Sequence, residues 1–194
     1  MDSMMYIKNY LEESLEARKK LNEDEGLLKK IELVSKLIVQ AYADGKKVLI
    51  AGNGGSAGDA QHIAAEFVSR FLYDRPGLPA IALTTDSSML TAIGNDYGFD
   101  RLFARQVQAQ GSEGDIFIGI STSGNSRNII TAVAEAKEKG ITTVALCGSE
   151  GELPSIVDFA LQVPSNLTPY IQESHICIGH VMCAYVEAQV FPRD

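Results

Sequence analysis

Short, largely apolar runs alternate with amphipathic stretches along most of the chain. The runs at residues 48–51, 80–83, 115–120, 142–147 and 159–163 are too short for helices and predict buried parallel strands. Between them apolar residues recur at helical spacing, and a final helix is predicted from residue 169 or 170 to about 189. Strands and helices alternating in this way predict an α/β fold: a three-layer α/β/α sandwich around a five-stranded parallel sheet.

Two helices are predicted before the first strand, over residues 6–21 and about 27–43. The first has Ile7, Leu11 and Leu15 on one side. The second carries more apolar surface than a helix covering one sheet needs, which indicates self-association. We expect the resulting oligomer to bury Leu28, Ile31 and Leu37 or their neighbours.

An interrupted helix is predicted between the second and third strands. Asp86 or a neighbour can cap its N-terminus, residues 93–98 interrupt it, and residues 102–110 resume it.

Composition restricts the kinds of partner. The 194 residues are 45% hydrophobic, enough for one globular domain with a sizeable core. A net charge of −8 gives no electrostatic footprint for nucleic acid, so an anionic substrate must be held by local N–H groups, hydroxyls and helix dipoles. We find no signal peptide and no apolar run of membrane-spanning length, and Cys147, Cys177 and Cys183 lack metal or redox spacing. These features predict a cytoplasmic protein with reduced thiols.

A glycine-rich loop follows the first predicted strand. Gly52, Gly54, Gly55 and Gly58 fall within seven residues, and a helix follows from about Ser56. Backbone N–H groups at such a helix N-terminus can bind phosphate. Glycine-rich turns are also common in α/β domains, and this loop matches neither the dinucleotide fingerprint nor the P-loop. Taken alone, it is as compatible with a plain turn as with a phosphate site.

A second polar loop follows the third predicted strand. Residues 121–126 read Ser-Thr-Ser-Gly-Asn-Ser, which places four hydroxyls before a helix that begins near Asn125. Such hydroxyls either bind phosphate or cap the helix. Because ligands bind at the carboxyl ends of parallel strands where the strand order reverses, the two loops together predict a site for a phosphorylated small molecule.

All three histidines lie in two predicted helix segments. His62 and Glu66 are one turn apart on the same face, which suits an exposed His–Glu pair, metal binding or proton transfer. His175 and His180 are five residues apart and do not share a face cleanly. Their spacing does not say which of them is an interior histidine.

Five separated motifs make the chain resemble the phosphoheptose isomerase family, which has the SIS (sugar isomerase) fold. In order, they are Asn53-Gly54-Gly55-Ser56, His62 with Glu66, GNDYGF at residues 94–99, STSGNS at residues 121–126, and IQESH at residues 171–175. The resemblance implies a flavodoxin-like sheet preceded by two N-terminal helices. It also implies a single SIS domain over residues 1–194, in which residues 1–45 mediate oligomerisation and residues 46–194 bind a sugar phosphate.

The resemblance further implies an activity. Family members are cytoplasmic homotetramers that convert sedoheptulose 7-phosphate to D-glycero-D-manno-heptose 7-phosphate, the first step of ADP-heptose biosynthesis and so towards lipopolysaccharide core or related surface glycans. This aldose–ketose isomerisation runs through an enediol. It needs a base at carbon, an acid at oxygen and stabilisation of negative charge on oxygen.

Matching positions carry the family's functional roles onto this sequence. The resemblance implies substrate contacts by Asn53, Gly54, Gly55, Ser56, Glu66, Asn95, Asp96, Ser121, Thr122, Ser123, Ser126 and Gln172. It implies one zinc ion per subunit, bound by His62, Glu66, Gln172 and His180, with Glu66 and His180 as the proton-transfer pair. Gln172 and His180 are eight residues apart, about 12 Å along a helix. Sharing one metal therefore requires Gln172 to precede the helix or the two residues to come from different subunits. Tyr170 stands where the family has an arginine.

The alternative is a related SIS tetramer without isomerase activity, a replication-initiator-associating binding protein. That protein lacks an acidic residue at the position of Glu66. The presence of both Glu66 and His180 here favours the enzyme.

Overall fold

The computed structural model describes residues 2–193. Helices α1 (Ser3–Glu23) and α2 (Glu25–Ala43) come before the sheet. Only Asp24 separates them, and its carboxylate accepts a hydrogen bond of 3.0 Å from the N–H of Leu27 in the first turn of α2. The Asp24 N–H in turn bonds carbonyls in the last turn of α1, so one residue ends one helix and caps the next.

The five predicted strands form one parallel sheet, so the predicted fold class is confirmed. The strands are β1 (Val48–Gly52), β2 (Ala80–Ala82), β3 (Ile116–Ser121), β4 (Thr142–Cys147) and β5 (Phe159–Gln162). Their order in the sheet is β2-β1-β3-β4-β5. From β1 the chain passes to β2 on one side, then crosses back past β1 to β3 and continues in that direction to β4 and β5. The strand order therefore reverses between β1 and β3, where open α/β sheets bind ligands.

Helices cover both faces of the sheet. They are α3 (Gly55–Val68), α4 (Ser87–Tyr97), α5 (Leu102–Gln110), α6 (Arg127–Glu138), α7 (Leu153–Ile156) and α8 (Thr168–Val190). Alternate strand residues enter different cores: Val48 and Ile50 pack with α2, α3 and α8, whereas Leu49 and Ala51 pack with α5 and α6. This alternation follows from the pleat of a strand buried on both faces.

The predicted interruption over residues 93–98 is wrong. Helix α4 continues through Asn95 and Asp96 to Tyr97, and it ends at Gly98, whose φ of +84° is a conformation that favours glycine. A short 3₁₀ helix, Phe99–Arg101, then leads into α5. Gly94 lies within α4, because glycine can also adopt helical backbone angles and does not by itself end a helix.

The unpartnered apolar surface lies mainly on α1. Ile31 is buried in the core of its own chain, so the expectation that an oligomer interface buries it is wrong. On α1, by contrast, Ile7, Leu11 and Leu15 are more than half exposed. Within residues 2–193, no helix combines the length and apolar character needed to cross a membrane.

Candidate active site

The glycine loop after β1 is held tightly between α3 and α8. Gly54 has a φ of +55°. A side chain on Gly52 would overlap the backbone of Ser56, and a Cβ on Gly55 would lie 2.6 Å from the Gln172 side-chain nitrogen. These contacts let the start of α3 approach the sheet and α8 more closely than any larger residue would allow.

The serine loop after β3 forms a small hydroxyl cluster. The buried Ser121 has its Oγ 2.8 Å from Oγ of Ser126 and 3.5 Å from Oγ of Ser123. Ser123 also accepts a bond from the N–H of Asn125. Thr122 and Ser123 line a polar cavity of about 250 Å³ that also borders Thr168 at the start of α8. The hydroxyls and the N-terminus of α6 thus lie together at the carboxyl end of β3, a suitable place for an anion.

His62, Glu66 and His180 converge on one point. His62 Nε2 lies 3.0 Å from Glu66 Oε1 and 3.3 Å from His180 Nε2, and the three ligand atoms all lie within 4.8 Å of one another. His62 is about half exposed and Glu66 is mostly buried, so the cluster opens to solvent on one side. Two imidazoles and a carboxylate on one open point can bind a metal ion or move protons.

Gln172 lies at the other end of the site. It is inside α8, which begins at Thr168, and its amide packs against Gly55, seven residues before His62 on α3. The structure therefore brings together three of the four predicted metal ligands and places the fourth beside the glycine loop.

Asn95 and Asp96 lie on the exposed surface of α4, with the Asn95 amide donating to the Asp96 carboxylate at 2.8 Å. The neighbouring Gly94 borders a cavity of about 360 Å³ that Asn53 and Gly54 also line. Neither Asn95 nor Asp96 lines this cavity, so the structure of this single chain does not bring the two predicted substrate residues to the glycine loop.

A buried ion pair that the sequence analysis missed supports the end of α3. Arg75 Nε bonds Glu187 Oε1 at 3.0 Å, and both side chains are almost fully buried. Arg75 also donates to the carbonyls of Glu66 and Phe67. Glu187 fixes the following loop through the N–H of Phe71, whose ring centroid lies 5.4 Å from that of His180. The two partners are more than 100 residues apart in the chain, so no local pattern signals them.

The structure decides between the two histidines of α8. His175 is the interior one: its side chain is fully buried, and its ring nitrogens have no hydrogen-bond partner among the described residues. Burial lowers its pKa to about 4. Tyr170, at the position where an arginine was expected, is buried against α1 and donates to Glu13 at 2.9 Å.

Comparisons with known proteins agree with this geometry. The family model described as SIS domain matches residues 9–148. A phosphoheptose isomerase from Aneurinibacillus thermoaerophilus is 58% identical over 187 residues, which cover 96% of this chain and 94% of that protein. Solved structures of phosphoheptose isomerases from Francisella tularensis and Neisseria gonorrhoeae are each 41% identical to this chain, with TM-scores of 0.91 and 0.89. They cover 96% and 95% of this chain, and the match covers 98% of each of theirs.

These relatives are all named as isomerases, and they give no support to the alternative of a non-catalytic binding protein. By sequence and by fold, the chain belongs to the phosphoheptose isomerase family of SIS-domain proteins.

Proposed function

We propose that this protein interconverts sedoheptulose 7-phosphate and D-glycero-D-manno-heptose 7-phosphate by moving a proton between C1 and C2 at the cluster of His62, Glu66 and His180. The observation that carries the proposal is the convergence of His62 and Glu66, on the helix that begins at the glycine loop, with His180 on α8.

The length of α3 between the loop and the cluster suits a seven-carbon substrate. His62 lies seven residues after Gly55, on nearly the same helix face and about 10 Å further along the axis. From phosphorus to C1, a heptose 7-phosphate has eight bonds, which span roughly 9–10 Å when extended. When the phosphate of such a substrate binds at the two loops, its C1 and C2 would lie beside His62 and Glu66.

The cluster fits a zinc ion. Tetrahedral zinc with nitrogen and oxygen ligands at about 2.1 Å separates neighbouring ligand atoms by about 3.4 Å. The separations of 3.0 and 3.3 Å around His62 Nε2 are close to this value. Three protein ligands with one open position are the usual arrangement of catalytic zinc. Zinc held by His62, Glu66 and His180 would polarise the substrate carbonyl and stabilise charge on its oxygen.

The proton transfers are assigned to the chain's own residues. Glu66 contacts His62 through Oε1, which leaves its second carboxylate oxygen to take the proton from C1 of the ketose. Donation of that proton to C2 completes the shift to the aldose. His180, on the neighbouring helix, faces His62 through Nε2, so its other ring nitrogen, Nδ1, would exchange the proton at the substrate oxygen as the enediol forms and collapses.

Ser121, Thr122, Ser123 and Ser126 are proposed to bind the phosphate with the N-terminus of α6. Because the net charge of −8 repels an anion at long range, short hydroxyl and N–H donors must supply the attraction. Gln172 is proposed to contact the substrate near this end, because its side-chain amide lies beside Gly55.

We further propose a cytoplasmic homotetramer that acts at the start of ADP-heptose synthesis. The exposed apolar stripe of Ile7, Leu11 and Leu15 on α1 supports self-association, because an identical chain offers the same apolar surface in return.

Incubation of the purified, zinc-loaded protein with sedoheptulose 7-phosphate tests the proposal. NMR should show the aldose 7-phosphate accumulating, and a chelator should abolish its formation until zinc is restored. A folded oligomer that forms no aldose would contradict the proposal.

A further inference from the structure

The glycine loop and the serine loop are joined by a pair of reciprocal amide bonds. Asn53 donates through Nδ2 to Asn128 Oδ1 at 2.9 Å, and Asn128 donates through Nδ2 to Asn53 Oδ1 at 2.8 Å. Asn53 belongs to the loop after β1. Asn128 lies in the first turn of α6, directly after the serine loop. The pair is thus a direct side-chain link between the two halves of the proposed phosphate site.

Sheet pairing alone leaves the two loops incompletely fixed. β1 and β3 are neighbours, and their ladder ends with Gly52 opposite Ile120. Beyond Gly52 the backbone continues into the glycine loop, whose glycines have few conformational restraints. Asn128 is 1% exposed and lies on a regular helix, so its side-chain amide has a fixed position and can hold Asn53 in place.

Only an amide opposite an amide can make this pair. Each side chain offers one donor and one acceptor to the other, and each keeps a second N–H and a second lone pair for other groups. Leucine at position 128 would preserve much of the volume but leave both polar groups of Asn53 without this partner.

We propose that Asn128 is a positioning residue that holds Asn53, and through it the glycine loop, in register with the serine loop before substrate binds. The inference rests on the proposed function because it assumes that both loops bind the substrate phosphate. Asn128 need not touch the substrate. By ordering the glycine loop in advance, Asn128 removes an entropy cost that substrate binding would otherwise carry. Loss of the Asn128 side chain therefore weakens binding more than it slows the proton transfer.

The test compares Asn128→Leu with Gln106→Met. Gln106 is a matched control because it is also a buried amide with two hydrogen bonds, to the carbonyls of Leu83 at 3.0 Å and Leu102 at 3.1 Å, and it is in neither loop. The dissociation constant of inorganic phosphate is measured by calorimetry, and KM and kcat are measured with sedoheptulose 7-phosphate. Asn128→Leu should raise both the dissociation constant and KM by roughly tenfold and change kcat by less than about threefold. Gln106→Met should leave all three near their wild-type values.

A double variant adds a readout that general destabilisation would not produce. Adding Asn53→Ala to Asn128→Leu should weaken phosphate binding less than the sum of the two single effects, because both changes break the same link. Phosphate affinity within about twofold of wild type in a folded Asn128→Leu protein would overturn the proposal, as would full additivity in the double variant. If the leucine variant does not fold, Asn128→Ser takes its place, because serine is too short for the reciprocal pair, and the same outcomes decide. The phosphate titration does not depend on turnover, so it judges the role of Asn128 even if wild-type protein fails to isomerise the heptose phosphate.

Discussion

Replacing Arg75 with methionine should lower the free energy of unfolding by about 3–5 kcal/mol, the usual cost of breaking a buried ion pair. The Arg75 and Glu187 side chains are 2% and 1% exposed, and the atoms that join them are 3.0 Å apart. Methionine fills much of the space but carries no charge. Glu187 would then keep a buried charge held only by the N–H groups of Phe71 and Leu72, and the carbonyls at the end of α3 would lose their donor.

An exposed ion pair in the same chain provides the control. Lys36 Nζ lies 2.6 Å from Glu32 Oε1 on α2, and both side chains are more than half exposed. Lys36→Met should therefore lower the free energy of unfolding far less than Arg75→Met, although this pair is the shorter of the two. In a chain of this size 1 kcal/mol corresponds to roughly 2–4 °C, so a loss of about 3–5 kcal/mol should lower the melting temperature of Arg75→Met by roughly 6–20 °C, and Lys36→Met should lower it much less.

Urea unfolding followed by circular dichroism measures both variants. All samples need the same protein concentration, because self-association makes stability depend on it. If the two losses agree within about 1 kcal/mol, burial does not govern the strength of the Arg75–Glu187 pair and the reasoning is wrong.

The same pair also predicts a pH effect. Burial alone would raise the pKa of Glu187, but hydrogen bonds from the N–H groups of Phe71 and Leu72 and from Arg75 bring this pKa below its usual value. A carboxylate with a lowered pKa stabilises the fold at neutral pH, and this stabilisation is lost as the pH falls through the folded-state pKa. Without Arg75 that pKa rises towards or above its unfolded-state value, so Glu187 should contribute less to the acid-side loss of stability. Arg75→Met should therefore lose less free energy of unfolding than wild type as the pH falls through this range.

Three further predictions concern separate parts of the molecule. Ser123→Ala or Ser126→Ala should raise KM for the heptose phosphate with little change in unfolding free energy; unchanged KM in both variants would mean that the phosphate binds elsewhere. Leu15→Glu should convert the oligomer to a smaller species in light scattering, and a wild-type protein that is monomeric at micromolar concentration would refute the proposed self-association. Burial lowers the pKa of His175 to about 4 in the folded protein, so as the pH falls below about 6.5 this side chain binds a proton in the unfolded chain before it does in the folded one. The free energy of unfolding should therefore decline by up to about 3 kcal/mol by pH 4. Denaturation of His175→Asn at about pH 7 and about pH 4.5 should show a smaller decline, and a decline equal to that of wild type would exclude His175 as its cause.

The fold was predictable because its strands are local features. Each is a short apolar run, the inner strands β1, β3 and β4 are buried on both faces, and β4 has the predicted bounds of Thr142–Cys147. The interruption of α4 was misplaced because Gly94 and Gly98 are both glycines in the sequence, and only the positive φ of Gly98 distinguishes the break. The two loops were predicted to meet because parallel strands place their carboxyl ends at one edge of the sheet.

Residues that act through distant partners were not predictable in this way. Asn128 and Arg75 bond side chains that are 75 and 112 positions away, and neither hydrogen bond leaves a periodic signal. Spacing also could not separate His175 from His180, because α8 carries buried residues on most of its circumference. The convergence of His62 with His180 depends in the same way on how α3 packs against α8.

The most direct test of the central claim follows the proton itself. Wild-type protein and Glu66→Gln are incubated with sedoheptulose 7-phosphate in deuterium oxide, and NMR follows the appearance of aldose and of deuterium at its C2. Wild type should form aldose that carries deuterium at C2. Glu66→Gln should lower kcat by roughly 10²–10⁴, because glutamine keeps the shape of the side chain but cannot act as the base. Oligomeric state and phosphate affinity should remain unchanged, and zinc content measured beside kcat separates loss of the base from loss of a ligand. Near-normal turnover by Glu66→Gln would contradict the account, because the proton would then move without the carboxylate that is proposed to carry it.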